Sequence, residues 1–208
     1  MIPAGGTGAV REHAYGAHGL TLVDRLGIWL SQRAVRRHLR AARDLVLADL
    51  GCGHDARLLT ALRPRLREGL GVDVTIGKQA RAVPGLRFVE GRLEDVLPTL
   101  PDAGFDVVLL LSVLEHLAAP EPALVHCRRI LRADGMLLAN VPTWWGKAFL
   151  ELSAFRLGTS PAEEMDDHKM YYDKRDLWPL LVRAGFRPSR IRLRYHKFGL
   201  NLFAVARP

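Results

Sequence analysis

The chain has 208 residues, a length that fits one domain, or one domain with an added lid, and not several. Its residues are 49% hydrophobic and 25% charged, which is typical of a globular protein and excludes a disordered chain or a small disulfide scaffold. The formal net charge of +8 raises the question of a nucleic-acid or anionic-membrane partner. Because no strand carries interleaved aromatic rings of the kind that bind RNA, we interpret the charge as a solvated, Arg-rich surface and expect no nucleic-acid partner.

The two cysteines, Cys52 and Cys127, stand far apart with no second pair near them. This pattern indicates neither a zinc site nor a disulfide framework, so we expect no metal and a reducing, cytoplasmic compartment. No run of about 18 apolar residues predicts a membrane-spanning helix. Residues 1–10 are Gly-rich and lack the apolar centre of a signal peptide.

Residues 1–44 are predicted to form an N-terminal arm and a helical cap. Apolar residues recur at helical spacing from Leu20 to Leu39, which predicts one or two helices ahead of the main sheet. From residue 45 to residue 208 short apolar strands alternate with helical segments. The first five predicted strands are Leu45–Leu50, Leu70–Val74, Leu86–Val89, Phe105–Leu111 and Met136–Val141.

This alternation predicts a doubly wound, three-layer α/β/α fold, because helices between parallel strands cover both faces of the sheet. Helices are predicted over Glu121–Leu131 and near Lys174–Ala184, although Pro179 conflicts with the second helix. The last two strands, Ile191–Tyr195 and Asn201–Ala206, are separated by too few residues for a crossover helix. We therefore expect these two strands to pair antiparallel.

The first strand ends with Asp49 and Leu50, and the turn Gly51–Asp55 that follows it begins Gly51-Cys52-Gly53. Two glycines let the backbone turn tightly and approach a ligand, and the start of the next helix offers unpaired N–H groups. Ligands in open α/β sheets bind at the carboxyl ends of the strands. Asp73 lies 20 residues after Gly53, the spacing at which a carboxylate accepts both hydroxyls of a ribose.

The third glycine of a dinucleotide-binding fingerprint is absent, and its place falls in His54-Asp55-Ala56. An acid there is unfavourable beside a pyrophosphate but suits a ligand with a free ammonium group, and Asp49 can hold the turn or the same cation. This charge argument favours S-adenosylmethionine over NAD. The alternative is that Asp49 and Asp55 serve only the turn and the helix cap.

The segment VLADLGCGHDARLL resembles the first motif of the class I S-adenosylmethionine-dependent methyltransferases, and GVDV resembles the second. FVEGRLEDVLP, FDVVLLLSVLEHL and RRILRADGMLLANVP resemble the next motifs, in the right order. The resemblance covers about residues 46–208 and includes an AGF sequence ahead of the last two strands. It implies a Rossmann-like, seven-stranded sheet with the last strand antiparallel, and S-adenosyl-L-methionine as the cofactor, with S-adenosyl-L-homocysteine as its product.

The family resemblance also implies which residues hold this cofactor. Gly51 and Gly53 would pack against its methionine and ribose parts. Asp73 would bind the ribose hydroxyls, Val74 would contact the adenine face, and the backbone of Leu93 would meet the adenine edge.

At the sulfur end of the cofactor, the resemblance implies Ser112 and Val113, which follow the fourth strand. The chain departs from the family at Arg92, where many members have an Asp that accepts a hydrogen bond from the adenine amino group. Arg cannot accept a hydrogen bond. Either Glu94 or Asp95 therefore substitutes, or the backbone alone serves.

Two histidines are candidate catalytic residues. His116 follows Glu115, and a Glu-His pair at this point lies near the transferred methyl in many similar enzymes; the alternative is that it only orients the loop. His168 has acids before it that favour its protonated form, and an ordinary pKa near neutrality suits a general base. The alternative for His168 is a surface residue without a catalytic role.

Residues 142–173 interrupt the alternation and are predicted to form a lid over the acceptor. Trp144 and Trp145 would supply an apolar or stacking wall, and Tyr171 and Tyr172 would complete the substrate site. The alternative is that these aromatic residues only cover a small satellite core. An apolar lid beside an Arg-rich surface would also suit a lipid-linked acceptor or a membrane face, although we do not expect a membrane as the main partner.

The sequence therefore predicts an S-adenosylmethionine-dependent methyltransferase that acts on a small molecule or lipid-like acceptor at oxygen, carbon or nitrogen, with positioning as the main contribution. A short-chain NAD-dependent oxidoreductase would need Tyr-x-x-x-Lys, and Arg175 and Asp176 stand where that lysine would follow Tyr171 or Tyr172. A nucleic-acid amino-methyltransferase would carry an Asn or Asp-Pro-Pro-aromatic motif where this chain has SVLE. A non-catalytic cofactor-binding protein stays open, and neither the acceptor nor the oligomeric state is indicated.

Overall fold

The computed structural model describes residues 22–147 and 170–208, so residues 1–19 of the predicted arm and most of the predicted lid lie outside the described part. Within it, no helix is long and apolar enough to cross a membrane. The elements are α1 (Leu22–His38), β1 (Leu45–Leu50), α2 (Arg57–Leu62), β2 (Leu66–Asp73), α3 (Lys78–Arg81), β3 (Leu86–Glu90), α4 (Leu93–Val96), β4 (Phe105–Leu111), α5 (Pro120–Ile130), β5 (Leu131–Pro142), α6 (Lys174–Arg183), β6 (Arg192–His196) and β7 (Asn201–Ala206).

The seven strands form one sheet in the order β3-β2-β1-β4-β5-β7-β6. Strands β1 to β5 pair in parallel, whereas β7 runs antiparallel to both β5 and β6. The predicted doubly wound sheet with an antiparallel last strand is therefore confirmed. The strand order reverses between β1 and β4, and this reversal opens the crevice in which such sheets bind ligands.

Helices cover both faces of the sheet, as its apolar strands require. One buried cluster joins α4, α5 and α6 to the sheet, and a second joins α1, α2 and α3 to the opposite face. The continuous apolar run of β4 follows from this, since Val108 and Leu110 belong to the first cluster while Val107 and Leu109 belong to the second.

The segment ahead of the sheet is one helix, α1. Val35 of this helix and Leu39, which follows its last residue, are fully buried in the same cluster as Leu138 and Phe203. The ring of His38 also stacks on Phe203, with 5.6 Å between ring centroids. Helix α1 thus covers the face of the sheet on which β5 and β7 lie.

Two strands are longer than the sequence predicts. Strand β2 begins at Leu66 rather than Leu70, and β5 begins at Leu131 rather than Met136. Both early segments contain polar residues that look like turns, but Leu66 pairs with Leu45 and Leu131 pairs with Phe105 in the sheet ladder. Pairing with a neighbouring strand overrides the local polarity there.

The conflict at Pro179 is resolved in favour of the helix, because α6 runs through it. Asp173 and Asp176 form a reciprocal capping box at the start of α6. Leu177 and Leu181 on its inner side are fully buried. This burial and the cap stabilise a helix that lacks one backbone hydrogen-bond donor.

The central strand supports a test of core packing. Leu110 is fully buried at the centre of the sheet, so Leu110→Ala should lower the free energy of unfolding by about 2–5 kcal/mol. Urea unfolding followed by circular dichroism measures this change. The control Val125→Ala, at a side chain that is 44% exposed on α5, should change it by less than about 1 kcal/mol.

Candidate cofactor-binding site

Backbone hydrogen bonds bring the turns after β1, β2 and β3 together at the carboxyl edge of the sheet. The N–H groups of Gly51 and Cys52 both donate to the carbonyl of Val72, at 2.8 and 3.1 Å. The N–H of Gly91 donates to the carbonyl of Asp73 at 3.0 Å. The structure thus gathers residues that the sequence analysis selected from separate motifs.

The two glycines of the first turn have different roles. Both have positive φ angles, 80° at Gly51 and 75° at Gly53, which favour glycine. A Cβ on Gly51 would lie 2.4 Å from Cγ2 of Val113, so this glycine lets the turn after β1 pack against the turn after β4. A Cβ on Gly53 would meet no atom within 4 Å, and Gly53 therefore borders open space.

The carboxylate of Asp73 fixes the same turn. Its Oδ2 accepts a hydrogen bond from the N–H of Gly53 at 2.7 Å, and its Oδ1 accepts one from the N–H of Val74 at 2.8 Å. Each carboxylate oxygen can accept a second hydrogen bond, so the side chain keeps capacity for ribose hydroxyls. Val74 is 36% exposed beside it, as a residue that contacts a ligand face needs to be.

Asp49 is a buried acid behind the turn, with 3% of its surface exposed. Burial, and then the negative charge of Asp73, raise the pKa of Asp49 to about 7. A cation placed near this carboxylate would favour its charged form. Burial and the charge of Asp49 also raise the pKa of the Cys52 thiol, so Cys52 is not a reactive nucleophile.

Asp55 lies on the outside of the turn and is engaged with neighbours. Its carboxylate pairs with the His54 ring at 3.0 Å and with Arg57 at 2.8 Å, and these hydrogen bonds lower the pKa of Asp55. Helix α2 has Ala56 as its N-cap residue, with no side-chain cap. Asp55 therefore does not cap the helix. Its negative charge, which was predicted to suit an ammonium group, is offset by Arg57.

The third turn carries the predicted adenine contacts. Arg92 is the N-cap residue of α4, and its guanidinium lies 3.8 Å from the Glu94 carboxylate. Glu94 is exposed and Leu93 is buried, with 8% of its surface accessible. Because Arg92 already attracts Glu94, a backbone contact at Leu93 is the simpler way to meet an adenine edge.

After β4, Ser112 has a positive φ of 56° and is exposed, while Val113 packs against Gly51. The N–H of Ser112 donates to the carbonyl of Asn140 at 2.8 Å, and the Asn140 amide nitrogen lies 3.4 Å from the Ser112 hydroxyl. The side chain of Asn140 is fully buried. Asn140 was not among the predicted site residues, although a polar residue inside the apolar strand β5 can indicate a functional position.

The Glu-His pair lies on the single helical turn Leu114–His116. Glu115 is buried, with 1% exposed, and His116 is half-buried. The hydroxyl of Tyr172 donates to the carbonyl of Leu114 at 3.3 Å, and Tyr172 is itself 1% exposed. Tyr172 therefore supports the loop that carries His116, and its position does not favour a direct acceptor contact.

The described ends of the predicted lid are aromatic. The rings of Trp144 and Tyr171 lie 5.6 Å apart; Trp144 is 49% exposed, whereas Tyr171 is buried. Trp145 is 76% exposed, and His168 lies outside the described residues. A depression of about 510 Å³ is lined by Trp145, Tyr195, Phe198, Gly199 and Leu200.

The sequence analysis missed Tyr195 and Phe198 in this depression. The available signal was an aromatic residue on each side of His196-Lys197, just ahead of Gly199. Tyr195 lies near the end of β6 and Phe198 lies in the turn to β7, a place that the fold alone would not mark as functional.

Comparison with known proteins identifies the family. Residues 48–139 match the model of a methyltransferase domain family. A protein of Mycolicibacterium smegmatis assigned as an S-adenosylmethionine-dependent methyltransferase is 30% identical over 167 residues, or 78% of this chain and 59% of that protein. Residues 48–139 therefore correspond to a methyltransferase domain, and the matches support a class I S-adenosylmethionine-dependent methyltransferase. The cofactor of this family is S-adenosyl-L-methionine.

Other relatives agree with this family. A Mycobacterium tuberculosis protein with the same assignment is 28% identical over 151 residues, 70% of this chain and 49% of its own length. The chain thus spans between about half and three fifths of these curated relatives.

Solved structures agree at the level of the fold. A chain from the complex between the Haloferax volcanii Trm112 methyltransferase activator and a methyltransferase has a TM-score of 0.70 at 16% identity, covering 86% of this chain and 89% of that one. An S-adenosylmethionine-dependent methyltransferase of Mesorhizobium loti has a TM-score of 0.64 at 16% identity, covering 85% and 96%. Both share the fold of this chain.

The two glycines of the first turn should respond differently to alanine. Gly51→Ala should destabilise the protein through both the left-handed φ and the contact with Val113. Gly53→Ala should cost only the backbone strain, of about 1–2 kcal/mol, but its methyl would enter the open space beside the turn. Thermal unfolding together with titration of S-adenosylhomocysteine separates the two effects.

A double variant is the control for this interpretation. Val113→Ala should recover part of the stability lost in Gly51→Ala but none of that lost in Gly53→Ala. Equal recovery in both backgrounds would contradict the contact between Gly51 and Val113.

The buried acid Asp49 should make stability depend on pH. Because folding raises the pKa of Asp49 to about 7, the folded state holds this proton more tightly than the unfolded chain. Without cofactor, stability should therefore fall as the pH rises from about 4 to about 7. Asp49→Asn should remove this loss, so its advantage in melting temperature should grow over that range and then level off.

The exposed acid Asp134 provides the matched control, since Asp134→Asn should show no such trend. A difference between wild type and Asp49→Asn that stays constant from pH 4 to pH 8 would contradict the raised pKa.

Proposed function

We propose that this chain transfers a methyl group from S-adenosyl-L-methionine to a small-molecule or lipid-like acceptor, at an oxygen, carbon or nitrogen atom. One observation carries the proposal. At the edge where the strand order reverses, the buried acid Asp49 lies behind a turn whose Gly53 borders open space. The bound cofactor supplies an activated methyl carbon, to which the acceptor lone pair bonds as the carbon–sulfur bond breaks and S-adenosylhomocysteine leaves.

The residues of the turn fit a cationic ligand. Asp49 is held close to Asp73, and both burial and this neighbouring charge disfavour its ionised form. A ligand with an ammonium and a sulfonium group would relieve that repulsion, whereas the pyrophosphate of NAD would increase it. This electrostatic preference supports S-adenosylmethionine over a dinucleotide.

The remaining proposed cofactor contacts follow the same edge. Asp73 would accept hydrogen bonds from the ribose with the lone pairs that Gly53 and Val74 do not use. Val74 and the backbone of Leu93 would flank the adenine. Ser112 and Val113 would lie at the methionine end, where Val113 already contacts the glycine turn; Cys52 and Glu94 would border the cofactor.

On the acceptor side, we assign the wall to Trp144 and Trp145, with Tyr171 behind Trp144. Such a wall suits an apolar or planar acceptor and excludes water from the methyl carbon. His116 would accept a proton from the acceptor if the acceptor needs a base, and His168 is the alternative base. We retain the division into a cap (1–44) and a methyltransferase domain (45–208) with a lid at about 142–173 as part of this proposal.

The decisive test is binding of the cofactor product by calorimetry. Asp73→Ala should weaken binding of S-adenosylhomocysteine about tenfold to a hundredfold, because hydrogen bonds to a charged group contribute about 1.5–3 kcal/mol. Asp134→Ala removes an exposed acid near the start of β5, at the opposite, amino-terminal edge of the parallel strands, and should leave the affinity unchanged. Methyl transfer is then followed with labelled S-adenosylmethionine and a panel of apolar acceptors.

NAD should not raise the melting temperature under conditions in which S-adenosylhomocysteine does. A wild-type protein that is stabilised by NAD and not by S-adenosylhomocysteine would exclude the proposed function. An affinity that is the same in wild type and Asp73→Ala would reduce Asp73 to a structural role.

A further inference from the structure

The turn between β6 and β7 presents a phenylalanine to solvent in a strained conformation. Phe198 is 94% exposed and has a φ of 59°, between Lys197 at 51° and Gly199 at 89°. Left-handed backbone at a non-glycine residue costs about 1–2 kcal/mol, and an exposed aromatic ring gains nothing from folding alone. The turn is therefore built to hold a large apolar side chain outward.

Four further apolar side chains are exposed around this turn. Trp145 and Tyr195, which are 76% and 53% exposed, line the depression together with Phe198. Leu26 and Trp29 on α1 are 52% and 53% exposed. We call these five residues the edge patch.

Helix α1 joins the edge patch because its first half lies beside the turn. A Cβ on Gly27 would be 3.6 Å from the Lys197 ammonium, and the backbone of Leu30 hydrogen-bonds with His196. Leu26 and Trp29 therefore stand next to the β6–β7 turn, although they are far from it in sequence. Exposed apolar side chains from three separate segments therefore lie near one edge of the sheet.

Cations accompany the aromatic rings of the edge patch. The Lys174 ammonium lies 4.8 Å from the centre of the Tyr195 ring, and the Arg33 guanidinium lies 5.6 Å from that of Trp29. Arg36 and Arg37 in the last turn of α1, and Arg40 just after it, are also exposed. The nearby acids Asp173 and Asp176 are engaged with backbone N–H groups in the capping box of α6.

We propose that the edge patch docks on the surface of an anionic lipid bilayer. Aromatic and aliphatic side chains beside Lys and Arg are the composition of protein surfaces that lie at the boundary between headgroups and acyl chains. The protruding Phe198 and the aliphatic Leu26 suit insertion into lipid and offer little to a nucleic acid, which would need stacking surfaces along a groove. The net charge of +8 adds long-range attraction to the anionic surface.

Docking in this way would bring a membrane to the edge that carries the candidate site. The β6–β7 turn follows the carboxyl end of β6, which runs in the same direction as β1 to β5, because both β5 and β6 are antiparallel to β7. The depression shares Trp145 with the proposed acceptor wall. The docking surface itself does not depend on the methyl-transfer proposal.

Vesicle flotation tests the proposal on the full chain. Wild type should float with vesicles of phosphatidylcholine and phosphatidylglycerol and bind those of phosphatidylcholine alone more weakly. Phe198→Asn should lower the partition coefficient by about tenfold, because it removes the inserted ring while Asn accepts the left-handed backbone. Lys174→Gln combined with Arg33→Gln should mainly reduce the preference for anionic vesicles.

Val125→Ser is the matched control, since this exposed apolar residue lies on α5, away from the edge patch, and its change should leave flotation unaltered. Calorimetry with S-adenosylhomocysteine checks that Phe198→Asn is folded, because Phe198 is outside the proposed cofactor contacts. Wild type that fails to float with anionic vesicles, or flotation that is equal in Phe198→Asn and wild type, would overturn the proposal. It would also be overturned by a wild-type dimer that Phe198→Asn converts to a monomer, since the patch would then be an interface between two copies.

Discussion

The hydrogen bond from the Gly53 N–H to the Asp73 carboxylate fixes the turn on which the candidate site depends. It joins the end of β1 to the end of β2 across the strand ladder, next to the two backbone hydrogen bonds that Gly51 and Cys52 donate to Val72. These three donors leave the turn little freedom. A ligand at this edge therefore meets a preformed surface, which lowers the ordering cost of binding.

The negative charge of the Asp73 carboxylate also disfavours ionisation of a second, buried acid. Asp73 lies close enough to the buried Asp49 to raise the pKa of Asp49, and within residues 22–147 and 170–208 no cation offsets this effect. Outside the turn, in contrast, Asp55 is matched by Arg57 and Glu90 by Arg81. This difference supports the proposal that the inner acids face a ligand with its own positive charge.

Much of the fold was predictable because its pattern is local. A few consecutive residues are enough to predict the apolar strand β4 and the glycine turn after β1. The short gap between the last two strands requires that they pair antiparallel. The start of β2 was not predictable, because Arg67 and Glu68 look like a turn in sequence, whereas Leu66 and Glu68 on either side of an irregularity pair with β1.

The site was predictable only where a motif carries the contact. The spacing between Gly53 and Asp73 indicates a ligand, and the structure adds that the two residues bind each other. Asn140 and Phe198 were not predicted because their roles depend on residues that only folding brings close. Asn140 lies beside Ser112, and Phe198 lies near α1 and lines the depression with Trp145.

The position of α1 has a consequence for how the protein is made. Val35 and Leu39 complete an apolar cluster with Leu138 and Phe203, which leave the ribosome at least 99 residues later. Until then α1 has been synthesised, but β5 and β7, the strands that it covers, have not. Closure of that face must wait for the last strand, so a chaperone that shields apolar segments during synthesis would act on the first helix.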